Sequence, residues 1–562
     1  MTVNPLAGGP SRRRFLRTSL GAGAALAAAP ALLGCATSQV RSARNAGTDP
    51  VPWPEYVPVE GPRPDLPPDP RGVDAGFLRY PDRLVASVPE RPGSGRETLT
   101  AMVETYEAPP RGPGANRYWA ALNEALGVDL KLQLVPSGNL QAKIATMMAS
   151  GDMPDLLMVR NWIPRVADYA ANVAADLSEY LAGPAVRDYP NLANLPTYAW
   201  RDMGLMGGRI MGVPITRPRT GSAILSHREE LVELAEGTYN DWTAEEFVDT
   251  LKRATGGKKY GFGVASGGWL FGVPLLASWH GAPNLYGLRD GEFVKAELTE
   301  EYRAAVEFAR RLHQTEKVYY PGTATMPTET MKSLFFNGTV RAQLDNLPGY
   351  QAANIAVGDA FTVDLLRPPT GLGAELTSHF SGGTYGYTLL KPGPPERIRL
   401  LLRVLNYLAA PFGTTEYERT YYGVEGEHFE RVDGDLELTE LAKTENPSTV
   451  PVKYITAPPP VHFYPGNPDA VRRVHAFQTA DVETGIPPLT SGLVVRDALR
   501  PYTRMRKLFE DAVISVVQGH SSMKHWDDAV RTWRTQGGDR VDAELAEEYA
   551  AVNEAQGDHS LG

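Results

Sequence analysis

Between Thr98 and Val159 the apolar residues switch repeatedly between a period of two and a helical period, and this confines the chain to a narrow set of folds. Thr98-Leu99-Thr100-Ala101-Met102-Val103 has period-two character and predicts a strand. From Asn116 to Leu126, residues Tyr118, Trp119, Ala121, Leu122, Ala125 and Leu126 fall at helical spacing, and Gly127 supplies the stop. Val128 to Val135 predicts a second strand. Ser137-Gly138-Asn139-Leu140 then caps a helix running to about Ala149, with Leu140, Ile144, Met147 and Met148 on one face. Leu156-Leu157-Met158-Val159 is a continuous apolar run suited to a buried parallel strand. This order predicts an α/β sheet. Ligands on such sheets sit beyond the carboxyl ends of the strands, so the residues after Val159 are the first candidates.

The N-terminus constrains location. Ser11-Arg12-Arg13-Arg14-Phe15-Leu16-Arg17 reads as a twin-arginine export signal, followed by a Gly/Ala/Leu stretch from Leu20 to Leu33. Leu32-Leu33-Gly34-Cys35 reads as a lipobox, making 1–34 a signal peptide and Cys35 a lipid-bearing mature N-terminus on the outer face of the cell membrane. The alternative is that Cys35 is lost with the signal. Cys35 is the only cysteine, which excludes disulfides, thiolate nucleophiles and cysteine metal sites. Eight of the twenty residues from Val51 to Pro70 are proline, so 35–95 is expected to be an extended tether, with Trp53, Tyr56 and Tyr80 able to pack on the body instead. A chain of 562 residues exceeds one hydrophobic core and suffices for two or three domains. The net charge of −10, without a basic stripe, argues against a nucleic-acid partner.

Several segments carry a family likeness. Val135-Pro136-Ser137-Gly138-Asn139-Leu140-Gln141 and Ala149-Ser150-Gly151-Asp152-Met153-Pro154-Asp155-Leu156 are followed by Val173-Ala174-Ala175-Asp176-Leu177. Further along come Phe336-Asn337-Gly338-Thr339-Val340-Arg341-Ala342 and Ser381-Gly382-Gly383-Thr384-Tyr385-Gly386. Tyr421-Tyr422-Gly423-Val424-Glu425-Gly426-Glu427-His428-Phe429 and Trp526-Asp527-Asp528, with Trp533 and Gly537-Gly538-Asp539, complete the set. In order and spacing, from Glu97 to Ala550, these resemble the extracellular solute-binding lipoproteins of ABC importers, in their long oligosaccharide-associated branch. The resemblance implies a two-lobed α/β fold of the periplasmic-binding-protein type II class, with hinge crossings near Ser222–Arg228 and Thr377–Tyr385 and a ligand cleft between the lobes. It divides the body into 96–222 and 377–480 as the first lobe, 223–376 as the second, and 481–562 as helices packing on the second lobe. A small-molecule solute, an ABC permease and its ATPase are the implied partners; the protein is expected to be a monomer without a cofactor.

Sugars offer hydroxyl edges and apolar faces, so their sites combine aromatic platforms with planar polar groups. Arg160, Asn161 and Trp162 lead the candidates, in the loop that the resemblance marks as ligand-facing; the alternative packs Trp162 under the next helix. Trp269, after Gly267-Gly268, and Trp279, in Ser278-Trp279-His280-Gly281, are second-lobe platforms or core residues. Asp345, Asn346 and Tyr350 follow the expected Val340–Leu344 strand, where the family often places ligand contacts. Tyr385 lies in the return crossing, and Asn139 is a ligand contact or only a helix cap. Tyr421, Tyr422, His428 and the His462-Phe463-Tyr464 run face either cleft or core. Arg160, Arg217 and Arg219 favour an acidic sugar unless solvated or paired.

Where many members of this branch carry a calcium loop, Leu251 to Lys259 holds four basic residues and no carboxylate, so a calcium ion is not expected. No histidine pair has metal-ligand spacing, and no Gly-x-Ser-x-Gly elbow or Walker loop is present. The rival reading is an anchored glycoside-processing enzyme using acids such as Asp345, Glu425 and Glu427; a scaffold without a small-molecule cleft is a third.

Overall fold

The computed structural model describes residues 42–556 apart from 89, 107, 267–268, 373–374 and 495–498, with the backbone alone for 499–506 and 553–556. The export signal and Cys35 lie outside the described residues, as do Gly267 and Gly268.

The first sheet forms where the sequence pattern predicts it. Its strands are β1 (Glu97–Thr105), β2 (Val128–Pro136), β3 (Leu156–Val159) and β4 (Gly212–Thr216). The Arg117–Leu126 helix links β1 to β2; Asn116 caps it by accepting the Trp119 N–H, and Gly127 ends it at φ 65°. A 3₁₀ turn, Ser137–Asn139, precedes the Leu140–Ser150 helix, and the Asn139 side chain makes no capping bond there, contrary to expectation.

The second lobe holds β5 (Ser222–His227), β6 (Tyr260–Gly263), β7 (Val340–Asn346) and β8 (Val363–Leu366), and the chain then returns through β9 (Thr384–Leu390). The sheets are ordered β2-β1-β3-β9-β4 and β8-β5-β7-β6. In the first, β1, β2 and β3 are parallel and β9 is antiparallel to both β3 and β4, so the carboxyl ends of β1 to β4 share one edge with the start of β9. In the second, β5 is antiparallel to β7 and β8, while β6 is parallel to β7, so the start of β5 shares an edge with the carboxyl ends of the other three. Residues 217–221 join β4 to β5, linking these two edges directly, and the chain returns from β8 to β9 over the longer span 367–383. The result is a two-lobed α/β fold whose strand ends meet across a cleft.

Leu99, Met102, Leu130, Leu157, Val213 and Leu389 lie in the first core; Phe262, Leu344, Phe509, Trp526 and Trp533 lie in the second. Each fully buried side chain of this kind contributes roughly 1.5–3 kcal/mol. The expected return segment 377–480 divides. Ala457 still bridges to Ile215 of β4, but the Pro468–Asp481 helix packs Val471, Val474 and Phe477 against Val363 and Leu365 of the second lobe. Helices Leu499–Val517 and Met523–Thr535 join the second core, whereas Glu548 of the last helix is fully buried and accepts from the Asn45 and Ala46 N–H groups.

The tether expectation is corrected over 42–95. Val51, Glu55 and Val57 donate their N–H groups to Gly208, Gly183 and Ala193 of the first lobe, and Ala75–Gly76 pair in parallel with Val461–His462. Val85 and Gly93 donate to Gly413 and Leu126. The prolines keep the chain extended while the residues between them supply the donors, so the segment is laid onto the body like an edge strand. Trp53 packs on the first core and Tyr80 is buried, whereas Tyr56 is exposed. The Tyr80 ring lies 5.3 Å from Phe412, 5.5 Å from Tyr422 and 5.3 Å from Phe463.

Gln478 connects this segment to the second lobe. Its Oε1 accepts the Asp74 N–H at 2.9 Å and lies 2.8 Å from His462 Nε2, while its Nε2 donates to Asp74 Oδ2 at 2.8 Å. Burial pushes the Asp74 carboxyl from 3.8 up to about 7 and the His462 imidazole from 6.5 down to about 4.

Tyr80→Ala is expected to lose roughly 3–5 kcal/mol and to open 60–95 to protease. An unchanged denaturation midpoint and cleavage pattern would return the segment to a free tether. The Asp74 contribution is full below about pH 4 and is lost as pH rises to about 7, because the folded state holds the proton more tightly. His462 has the opposite slope, losing its contribution as pH falls from 6.5 toward about 4. The stability advantage of wild type over Asp74→Asn, read from urea midpoints, is therefore expected to shrink from about pH 4 to about pH 7. A pH-independent difference would contradict this.

Candidate binding cleft

The register of β9 sets the centre of the cleft edge. Tyr387 lies opposite Val159, so Tyr385 sits beside the residues that follow β3. Close approach is possible because residue 386 is glycine: a Cβ there would stand 2.2 Å from the Val159 carbonyl oxygen. Tyr385 Oη donates to Glu104 Oε2 at 2.6 Å, and Arg160 Nη1 donates to the same oxygen at 3.1 Å. Tyr106 Oη reaches Glu104 Oε1 at 3.1 Å and lies 2.8 Å from Tyr385 Oη.

Aromatic faces surround this pair. The Arg160 guanidinium lies 3.8 Å from the Tyr385 ring centroid and 5.9 Å from that of Trp162. Tyr385 stacks on Tyr454 at 4.7 Å and 28°. The Arg217 guanidinium lies 4.7 Å from Tyr385 and 5.6 Å from Tyr454. Trp162 is 45% exposed and Tyr106 is 41% exposed, so both present surface to solvent beside a buried ion pair.

Electrostatics keep the hydroxyls protonated. Burial raises the Tyr385 and Tyr106 hydroxyls and pushes Tyr454 up to about 12. Burial alone would depress Arg160, but Tyr385, Glu104 and Tyr106 more than offset it and leave the guanidinium raised. The cluster thus offers neutral donors, one compensated cation and apolar ring faces, a combination suited to holding a polyhydroxylated ligand.

The structure brings together Arg160, Trp162 and Tyr385 of the sequence candidates. Asn161 is close by, with its Nδ2 donating to the Asp202 carbonyl at 3.0 Å, and Asn139 is exposed at the end of β2 on the same sheet edge. At the second-lobe edge, Asp345 is held by Gln343 Nε2 at 3.2 Å and Lys332 at 3.5 Å, and burial raises its carboxyl. Asn346 caps the Leu347–Val357 helix by accepting the Gly349 N–H at 2.8 Å. Trp269 is half-buried against Ala265, Met331 and Val340.

Two candidates are corrected. Trp279 is 4% exposed and edge-on to Phe247 in the second core, and Tyr350 is 0% exposed with its hydroxyl bonded to the Ala470 carbonyl. Both follow helical packing demand. His428, His462, Phe463 and Tyr464 are also buried, and Tyr421 stacks on Tyr417 at 4.3 Å.

Sequence reasoning missed Glu104, Tyr106 and Tyr454. Glu104 ends the first strand and Tyr106 directly follows it, at the edge that pointed to Arg160, so the same rule was able to find them. Tyr454 sits in a short 3₁₀ turn, Val452–Tyr454, without a periodic signal. The acids weighed for hydrolysis occupy separate ion pairs: Asp345 with Lys332 at 3.5 Å, Glu425 with Arg431 at 3.5 Å and Glu427 with Arg117 at 3.7 Å. Within 251–259, Lys252 pairs with Glu316 at 3.0 Å and Lys259 with Glu230 at 3.8 Å. A cavity of about 1170 Å³ lined by His227, Arg341, Asn354 and Arg473 lies at the opposite end of the second sheet, away from this chemistry.

Residues 107–411 match the family model described as bacterial extracellular solute-binding protein. Lipoprotein LipO of Bacillus subtilis is 23% identical over 457 residues, covering 76% of this chain and 88% of that protein. The polygalacturonan/rhamnogalacturonan-binding protein YtcQ of the same organism is 20% identical over 493 residues, covering 85% and 96%. The crystal structure of alginate-binding protein AlgQ2 without calcium ion aligns at TM-score 0.60 and 14% identity, covering 83% of this chain and all of that one. The N-glycan transport solute-binding protein NgtS of Streptococcus pneumoniae aligns at TM-score 0.56 and 13% identity, covering 83% and 100%. With the family match spanning more than half its length, the chain belongs to the bacterial extracellular solute-binding proteins.

Proposed function

We propose that this solute-binding protein of the ABC-transporter type captures an oligosaccharide between its lobes and delivers it to a membrane permease. The observation that carries the reading is the aromatic and arginine cluster of Tyr106, Arg160, Trp162, Arg217, Tyr385 and Tyr454 at the edge where the lobes meet. Ring faces match the apolar faces of sugar rings, and the tyrosine and arginine donors match their hydroxyls. Tyr385 is the second residue of β9, directly after the return crossing, so a ligand bound to it lies beside the segment proposed to bend when the lobes close. Closure follows only if the ligand binds the closed form better than the open one. The names of YtcQ and NgtS, which bind or transport glycans, are in keeping with a saccharide. Asn139, Asn161, Trp269, Asp345 and Asn346 remain the further contacts proposed around this centre.

The twin-arginine segment and Leu32-Leu33-Gly34-Cys35 support export and lipid anchoring at Cys35, and the LipO likeness is consistent with an anchored protein. One acyl chain gives marginal membrane binding, whereas dual or multiple acylation gives a stable anchor.

The test is a thermal-shift screen of the chain from residue 36 onward against neutral and uronic oligosaccharides. A ligand at about a hundred times its dissociation constant is expected to stabilise by ~2.7 kcal/mol, with the sugar recovered intact. Sugar cleavage would favour the enzyme reading; no shift with any saccharide would sink the oligosaccharide assignment. Trp162→Ala is expected to weaken binding by roughly 5- to 150-fold, in line with the ~1–3 kcal/mol that an aromatic stacking platform supplies to a ring ligand. Its melting temperature without ligand should stay unchanged, because Trp162 is substantially exposed.

A further inference from the structure

The charges at the first-lobe edge do not balance. Arg160 is matched by Glu104 at 3.1 Å, and both Glu104 oxygens are taken, Oε2 by Arg160 and Tyr385 and Oε1 by Tyr106. Arg217 has no such partner. Among the described residues its guanidinium forms no ion pair, and its side-chain hydrogen bond is a single donation from Nη1 to the Thr216 carbonyl at 2.8 Å. The guanidinium is half-buried between the Tyr385 and Tyr454 rings, and its charge also acts on Tyr421.

We infer that Arg217 reads an anionic group on the solute, which makes the ligand a carboxylate-bearing saccharide. This rests on the reading of the cleft as a saccharide site and adds its charge. Arginine has five N–H donors in a planar fork that fits a carboxylate bidentately, and Arg217 leaves most of them unspent. Its backbone N–H donates to the Gly383 carbonyl at 2.9 Å, fixing the residue where the two crossings touch. Lobe closure withdraws water from that position, and a charge without a partner then costs more than it did in the open form. A solute carboxylate on Arg217 offsets the cost and gains charge-assisted hydrogen bonds, so an acid favours the closed state selectively. Arg219 does not share the role. It donates to the Arg71 carbonyl at 3.1 Å and lies over Tyr198 and Phe380, on the side covered by the proline-rich segment.

The test is calorimetric titration of the chain from residue 36 with trimers of galacturonate, glucuronate and mannuronate, each beside its methyl ester. Wild type is expected to bind at least one acid trimer ~10- to 100-fold more tightly than its ester, with the preference shrinking as salt rises. Arg217→Gln should lose that preference, weakening the acid ~10- to 100-fold more than it weakens the ester, and Arg217→Lys should regain part of it. Equal affinity of wild type for acid and ester, or an equal loss for both in Arg217→Gln, overturns the inference and leaves the saccharide reading standing. Binding of neutral oligosaccharides alone does the same. Failure of every saccharide, acidic or neutral, overturns both.

Discussion

The shortness of the first crossing governs the molecule. Five residues, 217–221, carry the chain from the end of β4 to the start of β5, and they are tied to the return crossing through Arg217 N–H and the Gly383 carbonyl. A connection this short cannot run around either sheet, so the strand ends of the two lobes must face one another. The β9 register then drops Tyr385 beside Arg160, so the proposed binding chemistry collects next to the crossings. Placement of the cleft is therefore a consequence of connectivity, and the side chains decide only what it accepts.

Inside the cleft, burial and compensation divide the charged groups into two kinds. Glu104 and Arg160 neutralise each other and use the Tyr106 and Tyr385 hydroxyls to complete the carboxylate's bonds. Such a buried pair is not a large net source of stability, because desolvation offsets much of the Coulomb gain. Its effect is geometric: it holds two tyrosine rings and a guanidinium in fixed positions before any ligand arrives. Binding then loses less side-chain entropy than it would with the same residues free.

The legible parts of the sequence were those where one physical demand acts alone. Asn116, the apolar residues from Tyr118 to Leu126, and Gly127 form a capped, amphipathic, glycine-terminated helix, and nothing in the tertiary structure opposes it. Leu156–Val159 was equally clear, since a parallel strand covered on both faces requires an apolar run. Strand ends and the family likeness pointed to Arg160, Trp162 and Tyr385, and the structure sets these three side by side. The errors arose where two demands give the same pattern. Trp279 and Tyr350 carry the ring that a platform needs, but also the ring that a helix needs to fill its core, and periodicity cannot separate them. Proline density in 51–70 describes backbone conformation correctly without saying whether that backbone is docked.

Docking of that segment shows how an extended chain poor in donors still holds to a body. Every proline removes one N–H from the possible pairings, yet Val51, Glu55 and Val57 between them find carbonyls at Gly208, Gly183 and Ala193. The apolar anchors Trp53 and Tyr80 then supply burial that the hydrogen bonds alone would not. Further along, the same segment pairs with Val461–His462 and reaches Gln478 of the second lobe, so it contacts both lobes without adding a strand to either main sheet. Fixing its backbone costs about 1–2 kcal/mol per residue, and rigid prolines lower that cost by restricting the unfolded chain as well. A proline-rich sequence is in this respect well suited to lying on a surface, since it gives up little freedom on docking and needs only occasional donors to set its register.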